Sequence, residues 1–522
     1  MLCLATLLLF YLPGSAQVKQ THRYEVQQKF ASEYFTIVSM KEEGIAVFRE
    51  TDKYDGHLRK WEFIVLDTTL RERYNLELKI EQRNTLLGYE YMSGYFYLLL
   101  RMGDSNKNKV ELIEIDLAKG EERSRAEIAP ELEFKITHFN KVDRRVVLGG
   151  YVNNEPAVLL YNIDDKQIKV LPGFFQKDTE LVDVRVNQNQ TFNTLLIDRS
   201  TRTERKLIFR TYDQTGNVLL ETQAPIADNT TLQTSISSTL EREDLLVLGT
   251  WGERTGKQSS GFFSLPVDPF GEQKLQYTYF GELENFLGYL NPKRAKRIKE
   301  KTKESLQEGH RPDFSAYVVP FKIAETPEGF LLLAEVYNPQ STNPYYGSPY
   351  SNNPGFYGPY NYSPYWPGYY PGMRMYRPPY MYGNNAKNTD EVKTYETAVI
   401  AFDAKGKILW DHSIKLDEIG SAALEQKGDF YYTGRELTLM YKKESELKIK
   451  RASKDSVETR DWVEKVTTGD PQDEIRSEKE EEGGLNHWTG NSFYIWGYQT
   501  IRNNSKADRV RDVFYIRKVV VR

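Results

Sequence analysis

One turn recurs along this chain, and it constrains the fold more than any other feature. An alternating apolar strand ends at an aspartate, a short turn follows, often with glycine, and a second strand leaves. Copies end at Asp67, at Asp116 before Gly120, at Asp164, at Asp213 before Gly216, at Asp268 before Gly271 and at Asp403 before Gly406. A seventh runs through 449–453 to Asp455. Aspartate can cap its own backbone in such a turn, and glycine accepts positive φ. The period-two alternation marks strands with one buried face. Successive turn aspartates are separated by 49, 48, 49, 55, 135 and 52 residues. A repeat near fifty predicts stacked four-stranded units and therefore an all-β propeller. An array of β-sandwiches is the rival, and the step of 135 is one period plus two inserted segments.

Each unit reads as four strands. The first spans 34–40, 45–51, 61–67 and 73–80, and the second 86–92, 95–102, 109–116 and 123–129. An eighth unit begins near Trp488, ends at Arg522 and has three strands. The strand 22–27, which belongs to no other unit, can supply the fourth and so remove the exposed edges of an open array. Eight blades are expected, with seven as the fallback, in a single domain over 17–522.

The hairpin Ala401-Phe402-Asp403-Ala404-Lys405-Gly406-Lys407-Ile408-Leu409-Trp410 resembles the repeat of PQQ-like propellers, with their alanine, aspartate, glycine and tryptophan. It has one residue fewer in the turn, and the other copies lack the tryptophan. The resemblance implies a propeller and, by analogy, either envelope scaffolding or a quinone enzyme; fold alone does not choose between them.

Residues 1–16 are uncharged and contain the run Leu7, Leu8, Leu9, Phe10, Tyr11 and Leu12, followed by Pro13-Gly14 and the small pair Ser15-Ala16. This pattern predicts a secretory signal, since a membrane span needs about 20 apolar residues. The single cysteine, Cys3, falls within it, so the mature chain is expected to have no disulfide, thiolate metal site or cysteine nucleophile. A long exported chain of that kind fits the periplasm or outer surface of a Gram-negative bacterium. The 74 acidic and 70 basic residues nearly cancel, to −4. Neither nucleic acid nor an anionic membrane is then the default partner. No further span is expected, and a monomer is the default.

The long connections are 53–60, 103–108, 253–260, 281–313, 338–392, 469–484 and 502–511. All join second to third strands or one blade to the next, so they open on one face, whereas 41–44, 93–94 and 427–429 are short connections on the other. Loops on a rigid scaffold carry function. The stretch 281–309 reads as helical, and Asn291-Pro292 within it sets a helix start. Lys293, Arg294, Lys296, Arg297, Lys299, Lys301 and Lys303 follow; the first four are candidate anion contacts, with a merely solvated helix face as the alternative. The 469–484 connection is opposite in character, with Asp470, Asp473, Glu474, Glu478, Glu480, Glu481 and Glu482. The 338–392 connection has prolines at 339, 344, 349, 354, 359 and 364 and is expected to be extended. Its candidate binding residues are Tyr345, Tyr346, Tyr350, Tyr357, Tyr360, Tyr362, Tyr365, Trp366, Tyr369 and Tyr370. Such rings can stack on sugars or fill a partner's groove; the alternative is a spacer.

The six histidines are scattered singly, without metal-ligand spacing. No nucleophile elbow, Walker loop or dinucleotide fingerprint is present, and Asp411-His412 reads as part of a turn. No cofactor is expected. These readings converge on a non-enzymatic envelope scaffold that binds a protein or glycan. The alternative is a polysaccharide-acting enzyme, a glycosidase or lyase, with carboxylates gathered at the ring centre.

Overall fold

The computed structural model describes residues 18–29, 33–92, 94–103, 109–200, 204–254, 256–339, 392–421, 424–454, 459–479, 482–506 and 508–522. Its strands form eight antiparallel sheets, the blades of a β-propeller. Blades 1 to 7 are four-stranded meanders over 36–81, 85–128, 135–170, 179–225, 230–279, 317–421 and 428–465. Blade 8 joins the chain ends: Val18–Gln27 pairs with Val510–Val521, from Val18 opposite Val521 to Gln27 opposite Val513.

The core lies between the blades. Eight apolar clusters fill the eight interfaces in turn. The one that closes the ring packs Phe35, Ile37 and Val47 of blade 1 against Trp488, Tyr494 and Phe514 of blade 8. Second and third strands are therefore buried on both faces, as in Tyr95–Arg101, and read as continuous apolar runs. The outer strand Glu72–Glu81 keeps the alternation of a half-exposed strand. Each large side chain buried this way contributes roughly 1.5–3 kcal/mol.

Polar contacts between inner strands and their first turns add a second ring. Asn140 donates to the Val184 carbonyl at 3.0 Å, Asp183 accepts the Ser237 amide at 3.0 Å, and Glu325 accepts the Arg242 amide at 2.8 Å. Asp429 pairs with Lys322 and accepts the His487 amide, and the Trp488 indole donates to the Lys41 carbonyl. The last contact ties blade 8 to blade 1.

The six described turn aspartates all lie between third and fourth strands. Asp213 accepts the amides of Thr215 and Asn217 at 2.8 Å, and Gly216 takes φ +80°. Asp403 and Gly406 repeat the arrangement. Blade 3 departs from it. There Asn162 and Asp165 accept the turn amides, while Asp164 pairs with Arg144 at 3.0 Å.

Several connections differ from their sequence reading. The 53–60 segment is mostly ladder, since Tyr54 faces Arg59 and Asp55 faces Leu58. Residues 428–429 open the inner strand Gly428–Tyr432 instead of lying in a loop. The 469–484 segment contains the strand Glu474–Glu478, which pairs with Ser492–Arg502 beside Gly484–Thr489. Blade 8 thus begins before Trp488 and has a divided inner edge. The 338–392 connection is shorter than read, because Asn338, Pro339 and Val392 continue the ladder.

Candidate functional site

Strand order puts the two longest connections, 280–316 and 340–391, on the face where second strands turn into third strands and one blade leads to the next, while the shorter connections 238–244 and 268–275 lie on the opposite face. The opposite face carries the aspartate turns. Among the described residues the largest addition to the first face is the connection from blade 5 to blade 6. Its helix covers Pro292–Gln307, shorter than the 281–309 expected, and starts as expected: Pro292 occupies the first turn, and Asn291 accepts the Lys293 amide at 3.0 Å. Thr302 is its one buried residue and packs on Gly281, where an added Cβ would come within 2.1 Å of the threonine oxygen.

The residues before the helix are pinned instead of helical. Phe280, Leu283, Phe286 and Leu287 enter the core between blades 5 and 6, with the Phe280 and Phe286 rings stacked at 4.8 Å. The backbone amides of 284–288 converge on two buried carboxylates of blade 6. Asp411 accepts from Glu284, Asn285 and Phe286 at 2.8, 2.7 and 2.7 Å. Glu396 accepts from Leu287 and Gly288 at 3.2 and 2.7 Å. Ser413 lies 2.5 Å from Glu396 and 2.8 Å from the Asn285 carbonyl. One hydroxyl hydrogen serves one of these two acceptors at a time. Burial pushes Glu396 up to about 7 against the Ser413 hydroxyl and the Gly288 and Leu287 amides, and the nearby Asp411 charge adds to the rise. Burial likewise raises Asp411, against its three amides. Asp411 and His412 are therefore buried strand residues, not the turn expected from their sequence.

Between this pinned segment, the start of the helix and the flanks of blades 6 and 7 runs a groove of about 600 Å³. Phe286, Leu290 and Ala295 line one wall, and Ile414, Tyr441, Ile449 and Trp462 the other. Its rim carries both signs of charge: Lys299, Lys415, Lys448 and Lys450 beside Glu284, Asp417 and Asp461. Lys450 donates to the Ser413 carbonyl at 2.7 Å, and Lys448 faces Asp417 at 3.6 Å. Lys415 is exposed and has no ion-pair partner among the described residues. An apolar floor with fixed charges at its edge suits a ligand that presents a flat or aliphatic surface and charged groups.

The candidate anion contacts Lys293, Arg294, Lys296 and Arg297 all lie on the exposed face of the helix. Among the described residues the acidic connection does not meet them. Asp470 and Asp473 pair with Lys506, Asp473 also with Arg511, and Glu478 is buried on Lys442 at 2.6 Å. The ten aromatic candidates from Tyr345 to Tyr370 lie outside the described residues. At the ring centre, burial raises Asp183 to about 6 and lowers His138 to about 4. Asp183 there accepts the Ser237 amide of the next blade. Among the described residues no group of three or more histidine, cysteine, aspartate or glutamate side chains could hold a metal ion, and no helix is long and apolar enough to cross a membrane.

No protein-family model matches this sequence, and no curated protein does. Among solved structures the chain is similar to the WD40 domain of SCAP from fission yeast, at 10% identity over 97% of this chain and 98% of that one, with a TM-score of 0.42. It is similar to the β-propeller domain of the Trilobed protease from Pyrococcus furiosus, at 10% identity over 83% and 95%, with a TM-score of 0.34. It is also similar to the polysaccharide lyase Uly1, at 10% identity over 97% and 100%, with a TM-score of 0.38. At that identity and those TM-scores, none of the three bears on chemistry.

Proposed function

We propose that this chain is an exported, non-enzymatic propeller of a Gram-negative cell envelope, in the periplasm or at the outer surface. It holds a protein or glycan partner on the face that carries the long connections. The observation that carries this reading is the pinned insertion: two buried carboxylates and five backbone amides fix one segment beside an open, charge-rimmed groove. Burying carboxylates is costly, and here they anchor an inserted segment that completes the interface between blades 5 and 6 and forms one wall of the groove. The apolar run 7–12 followed by Pro13-Gly14 and Ser15-Ala16, together with the lack of cysteine from Gln17 onward, supports an envelope setting. The test is affinity capture from envelope extracts. The groove variant W462A/K415E loses the partner, while the opposite-face variant L219S/L409S retains it. Retention by the first variant, or loss by the second, contradicts the reading.

A further inference from the structure

We propose that the outward face of the helix Pro292–Gln307 binds an acidic polysaccharide bearing uronate carboxylates, an assignment that rests on the scaffold reading above. Lys293, Arg294, Lys296, Arg297, Lys301 and Lys303 are all exposed there. Of these, only Lys296 has an ion-pair partner among the described residues, Glu300 at 3.7 Å. The charge order along the helix is reversed. No acidic residue occupies its first turn and no basic residue its last, whereas the macrodipole favours acids at the start and bases at the end. Four cations crowd the end where unpaired amides already make the potential positive, an arrangement that costs helix stability and strengthens attraction for anions. The clamp of Asp411 and Glu396 just before the helix holds that end in place.

The partner's class follows from geometry. The helix cannot lie on a bilayer, because Ala295 and Ile298 pack on the core between blades 5 and 6 and an interfacial helix needs its apolar side free. Its outward face sets those six cations against Glu300 and Glu304, over about 24 Å of helix at 1.5 Å per residue. That is roughly one net charge per 6 Å, far sparser than the one per ~1.7 Å of duplex DNA. A chain with one carboxylate on each sugar ring matches this spacing better.

Calorimetric titration of the protein with polygalacturonate oligomers tests the assignment, beside the same oligomers fully methyl-esterified and a single-stranded DNA. Polygalacturonate binds, with affinity falling linearly in log salt concentration; the ester does not bind, and DNA binds more weakly. K293E/R297E/K301E lowers the affinity at least tenfold with a melting temperature no lower than that of the unaltered protein, and the neutral K293Q/R297Q/K301Q gives a smaller loss. No binding of polygalacturonate, equal binding by the charge-reversed protein, or tighter binding of DNA overturns the assignment. Partner capture sensitive to W462A/K415E survives such a failure if the scaffold reading holds, so the two are separable.

Discussion

Val18 stands directly opposite Val521 in the ladder that joins the two ends of the chain. Both side chains are buried in the cluster between blades 7 and 8, with Met440 and Ile449. Arg23 of the same first strand lies over the Tyr515 ring at 4.1 Å. Removing 17–30 leaves a β-branched edge ending in Val519, Val520 and Val521 without its partner. The truncated protein melts at least about 5 °C lower and forms oligomers in light scattering. Equal stability of the two forms would place the ring closure elsewhere.

Asp411 is the second point of leverage. Alanine there orphans the amides of Glu284, Asn285 and Phe286, and each unsatisfied buried donor costs about 1–3 kcal/mol. D411A is expected to lose about 3 kcal/mol or more. Hydrogen exchange at 284–288 rises before the blades open. Uniform exchange across the protein would show that the segment is not a separate unit.

Two buried glutamates set a pH dependence. Burial raises Glu396 and Glu335 to about 7, the latter against the amides of Gly428 and Lys427 and the Thr397 hydroxyl. An acid raised on folding stabilises fully below its unfolded value, and that contribution is lost as pH rises through the folded one. Stability to urea therefore declines from about pH 4.5 to above pH 7, and E396Q flattens part of the decline. A profile unchanged by E396Q would mean that this carboxyl does not titrate in that window.

The 340–391 segment joins two strands that are paired up to Pro339 and Val392. Replacing it with a short glycine turn keeps every described ladder bond and removes the entropy of closing a long loop, worth up to about 2 kcal/mol. The shortened protein keeps its circular dichroism spectrum and melts no lower than the full chain. A collapse of the fold would assign the segment to the core.

The ring was readable because one residue type recurs at one place: a turn aspartate needs only its own next few amides, so Asp67, Asp213 and Asp403 reveal their turns locally. The helix start was legible for the same reason, in Asn291 and Pro292. The clamp was not. Asp411 meets the Asn285 amide across 126 residues, and a carboxylate within a strand gives no sign of which distant backbone will satisfy it. The divided inner edge of blade 8 was hidden too. Glu478 reads as one charge in an acidic run, yet it is buried among Lys442, Ser445, Gln499 and Tyr515.

The central claim is that one face does the binding. The chain from Gln17 onward has no cysteine, so single cysteines can carry a photoreactive probe to either face. Lys301→Cys on the inserted helix and Lys415→Cys at the rim of the groove beside it sample the insertion, and Lys119→Cys, Gln214→Cys and Lys405→Cys the aspartate turns, all at exposed positions. Illuminated in envelope extract, the first two give a common adduct and the other three give none. Adducts from the aspartate turns alone, or equally from both faces, would contradict the account.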